Sequence, residues 1–169
     1  MSLEQRVQYL EHRFALQDLV VDYFVATDAD DFDTLATCFA DDAVFEAGGF
    51  VGGTSRDAII AFLREARSAM QGSLHTFDYQ RVYFGDAGTA RGIVGAHLEI
   101  AMAGQTLYGA VRYEDQYRYE AGAWRIAHRH MRTFHMGPWH EVQDSLNRPD
   151  RVRWPGTEPQ PGDPISGYR

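Results

Sequence analysis

The sequence lacks several features that would place the chain in other classes of protein. It has a single cysteine, Cys38, which cannot form an internal disulfide and has no companions at metal-ligand spacing. No apolar run approaches the roughly 18 residues that a membrane span requires. The charged start of the chain has no hydrophobic segment of the kind found in a secretory signal. We therefore expect a cytoplasmic protein with no membrane partner.

The chain also has fewer basic than acidic residues. The chain carries 16 Lys and Arg against 24 Asp and Glu, a formal net charge of −8. Nucleic-acid binding needs a basic face to neutralise phosphates, so we expect no nucleic-acid partner. The 169 residues include 44% hydrophobic and 13% aromatic side chains, which suffices for one core or an aromatic-lined pocket. One globular domain is the simplest interpretation.

Proline is absent from the first 137 residues, and all six prolines lie between Pro138 and Pro164. This asymmetry predicts a regular body at residues 1–137 and an irregular, proline-rich tail at residues 138–169. Trp139 and Trp154 lie among the prolines and glycines of this tail. Such large aromatic side chains favour a tail that packs on the domain or on a neighbouring subunit.

The first part of the body has helical spacing. Ser2 and Gln5 have the spacing of a capping box. An apolar stripe follows at intervals of three and four residues, formed by Leu3, Val7, Leu10, Phe14, Leu16, Leu19, Val20 and Tyr23. The acidic run at residues 28–33 suits the end of this helix and the cap of a short second helix.

A short hairpin and a third helix are expected next. Residues 43–46 have strand character, Gly48-Gly49 a turn, and a second short strand ends at Gly52-Gly53. Thr54 or Ser55 would cap the third helix, and Gly72 would end it.

From residue 74 the apolar period changes to two. Residues 74–84, 89–103, 105–119 and 123–135 are predicted as four long strands. Short turns between them indicate an antiparallel meander. Helices followed by a long sheet are typical of the α+β class. We expect a cone-like, curved antiparallel sheet wrapped round a pocket that the N-terminal helices close.

Three stretches carry a resemblance to a known family. They are LQDLVVDYFVATDADDFDTLATCFADDAVFE, LHTFDYQRVYF and YEDQYRYEAGAWRIAHRHMRTF. Their order resembles the nuclear transport factor 2-like superfamily in its SnoaL-like branch, over residues 3–135. Within this branch, the chain resembles the group that contains scytalone dehydratase, hexachlorocyclohexane dehydrochlorinase and bile-acid 7α-dehydratase. This resemblance implies the curved sheet, a homo-dimer or homo-trimer, and catalysis without a cofactor.

The resemblance also implies a set of catalytic residues. In this group an aspartate and a histidine form a central dyad, which falls on Asp28 and His75. Tyr23 matches a tyrosine five residues before that aspartate. An arginine after the motif W-R-I serves some members, and here Arg129 fits best, with Arg132 as its rival. The dehydrochlorinase has a lysine where this chain has Tyr23, which counts against that particular activity.

The substrate pocket is expected to be lined by Phe24, Phe45, His97 and Tyr108. His97 is the candidate for a second histidine that scytalone dehydratase uses on the following strand. Five residues on a straight helix rotate the side chain by about 140°. Tyr23 and Asp28 can therefore share a site only if the first helix ends or bends near Thr27.

Elementary chemistry supports these roles. A histidine titrates close to neutral pH and is an efficient base, and a carboxylate beside it fixes the tautomer. Tyr23 can donate its phenolic proton, and Arg129 can hold an anionic oxygen. Each residue also has a structural interpretation: a core tyrosine, a helix-capping aspartate, a structural histidine, a surface arginine.

His128 and His130 are two residues apart on a predicted strand and share a face, a spacing that can bind a metal. No acidic residue lies at a sequence spacing that indicates a third ligand, so we expect no metal.

These patterns together predict a cofactor-independent acid–base lyase, dehydratase-like, or an isomerase or cyclase. The expected substrate is small, hydrophobic and cyclic, with a hydroxyl or keto group. The alternatives are a non-catalytic small subunit of a ring-hydroxylating dioxygenase and a module that binds a small apolar molecule.

Overall fold

Three α-helices and a six-stranded sheet form the body of the protein. The computed structural model describes residues 1–166. The helices are α1 (Leu3–Asp28), α2 (Phe32–Thr37) and α3 (Arg56–Ser68). The strands are β1 (Phe39–Ala47), β2 (Phe50–Gly53), β3 (Met70–Phe84), β4 (Thr89–Met102), β5 (Gln105–Glu120) and β6 (Ala123–Pro138). A 3₁₀ helix spans Trp139–Asn147, and no helix within residues 1–166 is long and apolar enough to cross a membrane.

Side-chain caps begin each helix. The predicted capping box at α1 is present, since Ser2 Oγ accepts from the Gln5 N–H and Gln5 Oε1 accepts from the Ser2 N–H. Ser55, one of the two predicted candidates, caps α3. The prediction that Gly72 ends α3 is wrong. The helix ends at Ser68, and Gly72 lies inside β3, paired with Ala101 of β4.

The sheet has the order β2-β1-β6-β5-β4-β3 and is curved but not closed. The predicted antiparallel meander is present from β3 to β6. The sheet as a whole is mixed, however, because β1 pairs with β6 in parallel, with Val44 opposite His128. The helix α3 carries the chain from β2 to the far edge of the sheet, and the meander then returns it to β1. This long-range pairing has no local sequence signal.

The apolar stripe predicted for α1 faces the core only in its second half. Leu16, Leu19, Val20 and Tyr23 are buried against the sheet. The earlier members of the stripe, Leu3, Val7, Leu10 and Phe14, are 46–74% exposed. The first half of α1 meets the body through other residues, such as Tyr9 against Phe84.

The chain after β6 turns back along that strand. The N–H of Met136 donates to Arg151 O, and the N–H of Val152 donates to Gln160 O. Asp163 is bound to Thr133 through both its backbone N–H and its carboxylate. The division at residue 137 stays a prediction, and β6 itself extends to Pro138. Residues 167–169 of the predicted tail lie outside the described residues.

Candidate active site

A large cavity lies between the sheet and the helices α1 and α3. Its volume is about 630 Å³, within the range of small-molecule sites. Most of its wall is carbon, supplied by Phe45, Phe50, Phe62, Leu63, Leu98, Ile100, Met102, Met131 and Trp154. The polar side chains on the wall are fewer: Tyr23, Thr27, Arg67, Ser73, His75, Thr133, Gln160 and Asp163. A site of this kind suits a mostly apolar molecule that bears a few polar atoms.

His75 and Asp28 lie in contact at this wall. Asp28 is the last residue of α1, and His75 is on β3. His75 Nδ1 and Asp28 Oδ1 are 2.7 Å apart. The backbone N–H of His75 donates to Asp28 Oδ2 at 2.7 Å, and Ser73 Oγ donates to Oδ1 at 2.6 Å. The end of α1 and the start of β3 are therefore joined through one carboxylate.

These contacts determine the state of the carboxylate. Burial would raise the pKa of Asp28, but hydrogen bonds from His75 and Ser73 and the charge of His75 hold that pKa below its ordinary value. An ionised Asp28 accepts a hydrogen bond from the Nδ1–H of the neutral imidazole, so that Nε2 is the nitrogen without a proton and can act as a base. The ring of Phe24 stacks on the imidazole, with centroids 4.8 Å apart and planes at 18°, and holds its orientation.

Tyr23 borders the same cavity. Its ring centroid is 6.5 Å from that of His75. The helix α1 ends at Asp28, one residue after Thr27, with Ala29 as its C-cap. The two side chains leave the helix in different directions, and His75 connects them. Tyr23 lies directly on the wall, while Asp28 reaches His75 from outside the cavity lining.

The Tyr23 phenol is a proton donor at neutral pH. Burial raises the pKa of Tyr23 above its ordinary value, and the nearby Arg129 acts in the opposite direction. The phenol therefore keeps its proton at neutral pH.

Arg129 does not line the cavity. The side chain is fully buried and forms a bidentate pair with Asp115, at 2.8 and 2.7 Å. Its guanidinium lies 4.2 Å from the ring centroid of Tyr23 and 4.5 Å from that of Tyr113. Direct contact with a substrate oxygen, the role expected from the sequence, is not available in this arrangement. Arg129 instead contacts the face of the Tyr23 ring with its guanidinium group.

Arg132, the alternative to Arg129, does not line the cavity either. Arg132 pairs with Glu114 at 2.6 Å and is partly exposed. It follows Met131 and precedes Thr133, which both line the cavity, so its side chain lies on the opposite face of β6. Neither arginine reaches the cavity.

The four predicted pocket residues have three different positions. Phe45 lines the cavity, and Phe24 supports His75 without being part of the lining. His97 and Tyr108 do not line it: they stack on each other, with centroids 5.4 Å apart, on the other side of the sheet. Strand geometry explains this, because Leu98, the neighbour of His97, faces the cavity. His97 Nδ1 is 2.7 Å from Asp78 Oδ2.

The tail supplies cavity residues that the sequence did not indicate. Val152, Trp154 and residues 160–164 form part of the wall. The only sequence signal was an aromatic residue in a proline-rich segment, which gives no position. Asp115 was also missed, although an acid between Tyr113 and Tyr117 on the buried face of an alternating strand needs a partner.

The paired histidines of β6 do not form a metal centre with their neighbours. His128 Nε2 is 2.9 Å from Glu46 Oε2, and Gln116 lies near its other nitrogen. Residues 1–166 contain no group of three or more histidine, cysteine, aspartate or glutamate side chains arranged to hold a metal ion.

Three buried tyrosines give a prediction for alkaline pH. Burial raises the pKa of Tyr23, Tyr113 and Tyr117, the last two well above the ordinary value. A raised pKa in the folded state gives stability that is complete below the unfolded pKa of about 10 and is lost as pH rises further. We expect these tyrosines to titrate only as the chain unfolds. In ultraviolet absorbance the exposed tyrosines should ionise first, and the last part of the tyrosinate signal should appear together with the loss of circular dichroism; ionisation of all tyrosines in a folded chain would contradict this.

Comparisons with known proteins place the chain among relatives. A family described as the SnoaL-like domain matches residues 8–130. The structure of LinA is similar, with a TM-score of 0.75, 22% identity, and coverage of 81% of this chain and 95% of LinA. A putative scytalone dehydratase from Novosphingobium aromaticivorans has a TM-score of 0.74 and 18% identity. The match covers 98% of this chain and 99% of the dehydratase. A type 2 hexachlorocyclohexane dehydrochlorinase has a TM-score of 0.75 and 19% identity. The match covers 90% of this chain and 99% of the dehydrochlorinase.

The search of curated proteins found no match. The structural similarities lie below 25% identity and establish the shared fold.

Proposed function

Since the chain belongs to the SnoaL-like domain family, we propose that it is a cofactor-independent acid–base lyase or isomerase. Its substrate would be hydrophobic and cyclic and carry a hydroxyl or keto group. One observation carries the proposal: a hydrogen-bonded His75–Asp28 pair lies at the wall of an apolar cavity of about 630 Å³.

The base in this reaction is Nε2 of His75. It removes a proton from a carbon next to the group that is lost or shifted. The electrons of that C–H bond form a double bond, and the imidazole becomes an imidazolium. Asp28 stabilises this cation at a distance of 2.7 Å and keeps the ring in one orientation.

The acid is the phenol of Tyr23. In a dehydration the C–O bond breaks as the phenol protonates the departing oxygen, and water leaves. The imidazolium of His75 then gives up the proton taken from carbon and the Tyr23 phenolate regains one, so both residues return to their starting states. In an isomerisation the same phenol would donate a hydrogen bond to a keto oxygen while the proton moves between carbons. Arg129, below the Tyr23 ring, favours negative charge on the phenolic oxygen as it gives up its proton.

The proposed substrate class follows from the cavity. Its carbon-rich wall and aromatic side chains match a ring system of modest size, and His75 and Tyr23 are among its few polar groups. Two of the similar structures are named for eliminations, one of water and one of hydrogen chloride. A chloride ion leaves without protonation, whereas hydroxide must be protonated. The donor Tyr23 therefore favours a hydroxylated or keto substrate over a halogenated one.

The cavity alone also favours a second candidate function, a module that binds an apolar small molecule without changing it. The small subunit of a ring-hydroxylating dioxygenase is a third alternative. Neither of these functions requires a carboxylate that three hydrogen bonds hold against a histidine.

A panel of substrates tests the proposal. Hydroxylated and keto steroids, polyketide-like bicyclic alcohols and chlorinated cyclohexanes are each incubated with the protein. We expect turnover of at least one oxygenated ring compound, seen by mass spectrometry as loss of water or by absorbance as a shifted double bond. Binding of panel members without any product would support the binding module, and neither binding nor product would contradict both.

A further inference from the structure

Helix α1 has a second apolar face that nothing in residues 1–166 covers. Leu3, Val7, Leu10, Phe14 and Val21 are all exposed, from 39% for Val21 to 74% for Leu3. The side of α1 that packs on the body is formed instead by Leu16, Leu19, Val20 and Tyr23. At 100° per residue the two faces point in nearly opposite directions. The second face therefore points away from the body into solvent.

The spacing of this face is that of a coiled-coil seam. Val7, Phe14 and Val21 lie seven residues apart, and Leu3, Leu10 and Gln17 form a second series with the same period. The two series alternate at steps of four and three residues, which is the a/d pattern of a heptad. A surface helix of an isolated domain needs only one apolar face. Exposed apolar residues at five of these six positions indicate a helical partner.

The charges beside the seam identify the partner. On one side lie the acidic residues Glu4, Glu11 and Asp18, and on the other the basic residues Arg6 and Arg13. Within residues 1–166 none of these five charges forms an ion pair.

In a parallel pair of such helices, a basic residue of one chain lies beside the acidic residue five positions later in the other. Arg6 would meet the partner's Glu11, and Arg13 would meet the partner's Asp18. An antiparallel pair would instead place acid beside acid and base beside base. The charges therefore fit a second copy of this chain in parallel orientation.

We propose that two copies of the protein associate through this seam, residues Leu3–Val21 of α1, as a parallel two-stranded coiled coil. Valine in one heptad series with leucine in the other is the combination that favours two parallel strands. Gln17 is the single polar member, and its amide can pair with the partner's Gln17, which sets the register. The seam stops after Val21 because the next heptad position, Phe24, is buried against His75. The proposal is independent of the reaction in the cavity.

The first test is the mass of the particle in solution, measured by sedimentation velocity over a range of concentrations. Wild type is expected to dimerise. The double variant V7E/F14E places charges in the seam and should weaken dimerisation by about 100-fold or more. Both side chains are exposed in a single copy, so the domain should remain folded. Leu74→Glu, an exposed apolar residue on β3, is the matched control and should leave the dimer intact.

A charge exchange tests the predicted pairs. The double variant R6E/R13E places acid beside acid in both predicted pairs and should be monomeric, and E11R/D18R, which places base beside base in both pairs, should be monomeric too. Mixing the two variants should restore a dimer that contains one copy of each. High salt should weaken this restored dimer, since the flanking charges are exposed.

Cysteine cross-linking tests the orientation. Cys38 is buried, so an added cysteine is the accessible thiol. In the parallel pair Leu3→Cys and Val21→Cys should each form a disulfide with the same variant of the partner. An antiparallel pair would cross-link only the mixture of the two. That result, a monomeric wild type, or a dimer that survives V7E/F14E would overturn the proposal.

Discussion

Replacing His75 with alanine is expected to lower the rate of the proposed reaction by about 10²–10⁴-fold, the usual contribution of a positioned general base. The substitution removes Nε2 from the cavity and leaves the apolar wall unchanged. Substrate affinity should therefore change much less than the rate. Single-turnover kinetics and a separate equilibrium binding measurement distinguish these two effects.

Asp28→Asn should cause a loss of the same order through a different physical route. The backbone N–H of His75 must donate to the side chain at position 28, so the asparagine oxygen takes that contact. The amide NH₂ group then faces Nδ1, which has to accept. The proton moves to Nε2, and the ring can no longer take a proton from carbon. The variant should stay folded and bind ligand while its turnover falls.

The chain contains a matched control for both variants. His97 and Asp78 have the same 2.7 Å contact between Nδ1 and a carboxylate oxygen, but they lie on the other side of the sheet. His97→Ala and Asp78→Asn should leave turnover within a few-fold of wild type. Equal turnover by wild type, His75→Ala and Asp28→Asn would rule out the His75–Asp28 pair as the catalytic base.

Much of the fold follows from local patterns, whereas the pairing of Asp28 with His75 was implied by the resemblance to the SnoaL-like branch. The helical spacing of α1 and the acidic run after it predict where that helix ends. The strand turns predict the meander. These features are local, because each depends on residues a few positions apart.

Other parts depend on contacts that local patterns do not encode. The parallel pairing of β1 with β6 joins segments more than 80 residues apart, for example Val44 with His128. The bulge of β3 at Asp78 and that of β6 at Ala127 shift the alternation along the strands. A shift of one residue moves a side chain to the other face, so the face of His97 could not be assigned from sequence.

The buried Arg129–Asp115 pair should have the largest effect on stability. Arg129→Met leaves the Asp115 carboxyl group without its partner in the core. Asp115→Asn likewise leaves the Arg129 charge uncompensated. Burial would lower the pKa of Arg129, but the charge of Asp115 raises it, so the guanidinium remains charged. Removing one member of such a pair costs about 3–5 kcal/mol of unfolding free energy, which urea denaturation measures.

The double variant R129M/D115L should recover most of that loss, because no unpaired charge remains in the core. One group would still lack a partner: the Tyr117 hydroxyl, which donates to Asp115 Oδ2 at 2.7 Å. An unsatisfied buried hydroxyl costs about 1–3 kcal/mol, so adding Tyr117→Phe should recover further stability. If the double variant were as unstable as the sum of the two single variants, the pair would contribute independent contacts and no charge coupling.

A stable R129M/D115L/Y117F protein would also separate fold from reaction. Its cavity wall would keep His75 and Asp28, but Tyr23 would lose the guanidinium 4.2 Å from its ring centroid. The phenol would then become a weaker acid, since no positive charge favours its anion. Turnover should fall while unfolding free energy and ligand affinity stay near wild type. The buried arginine would thus act on the reaction through Tyr23, without touching the substrate.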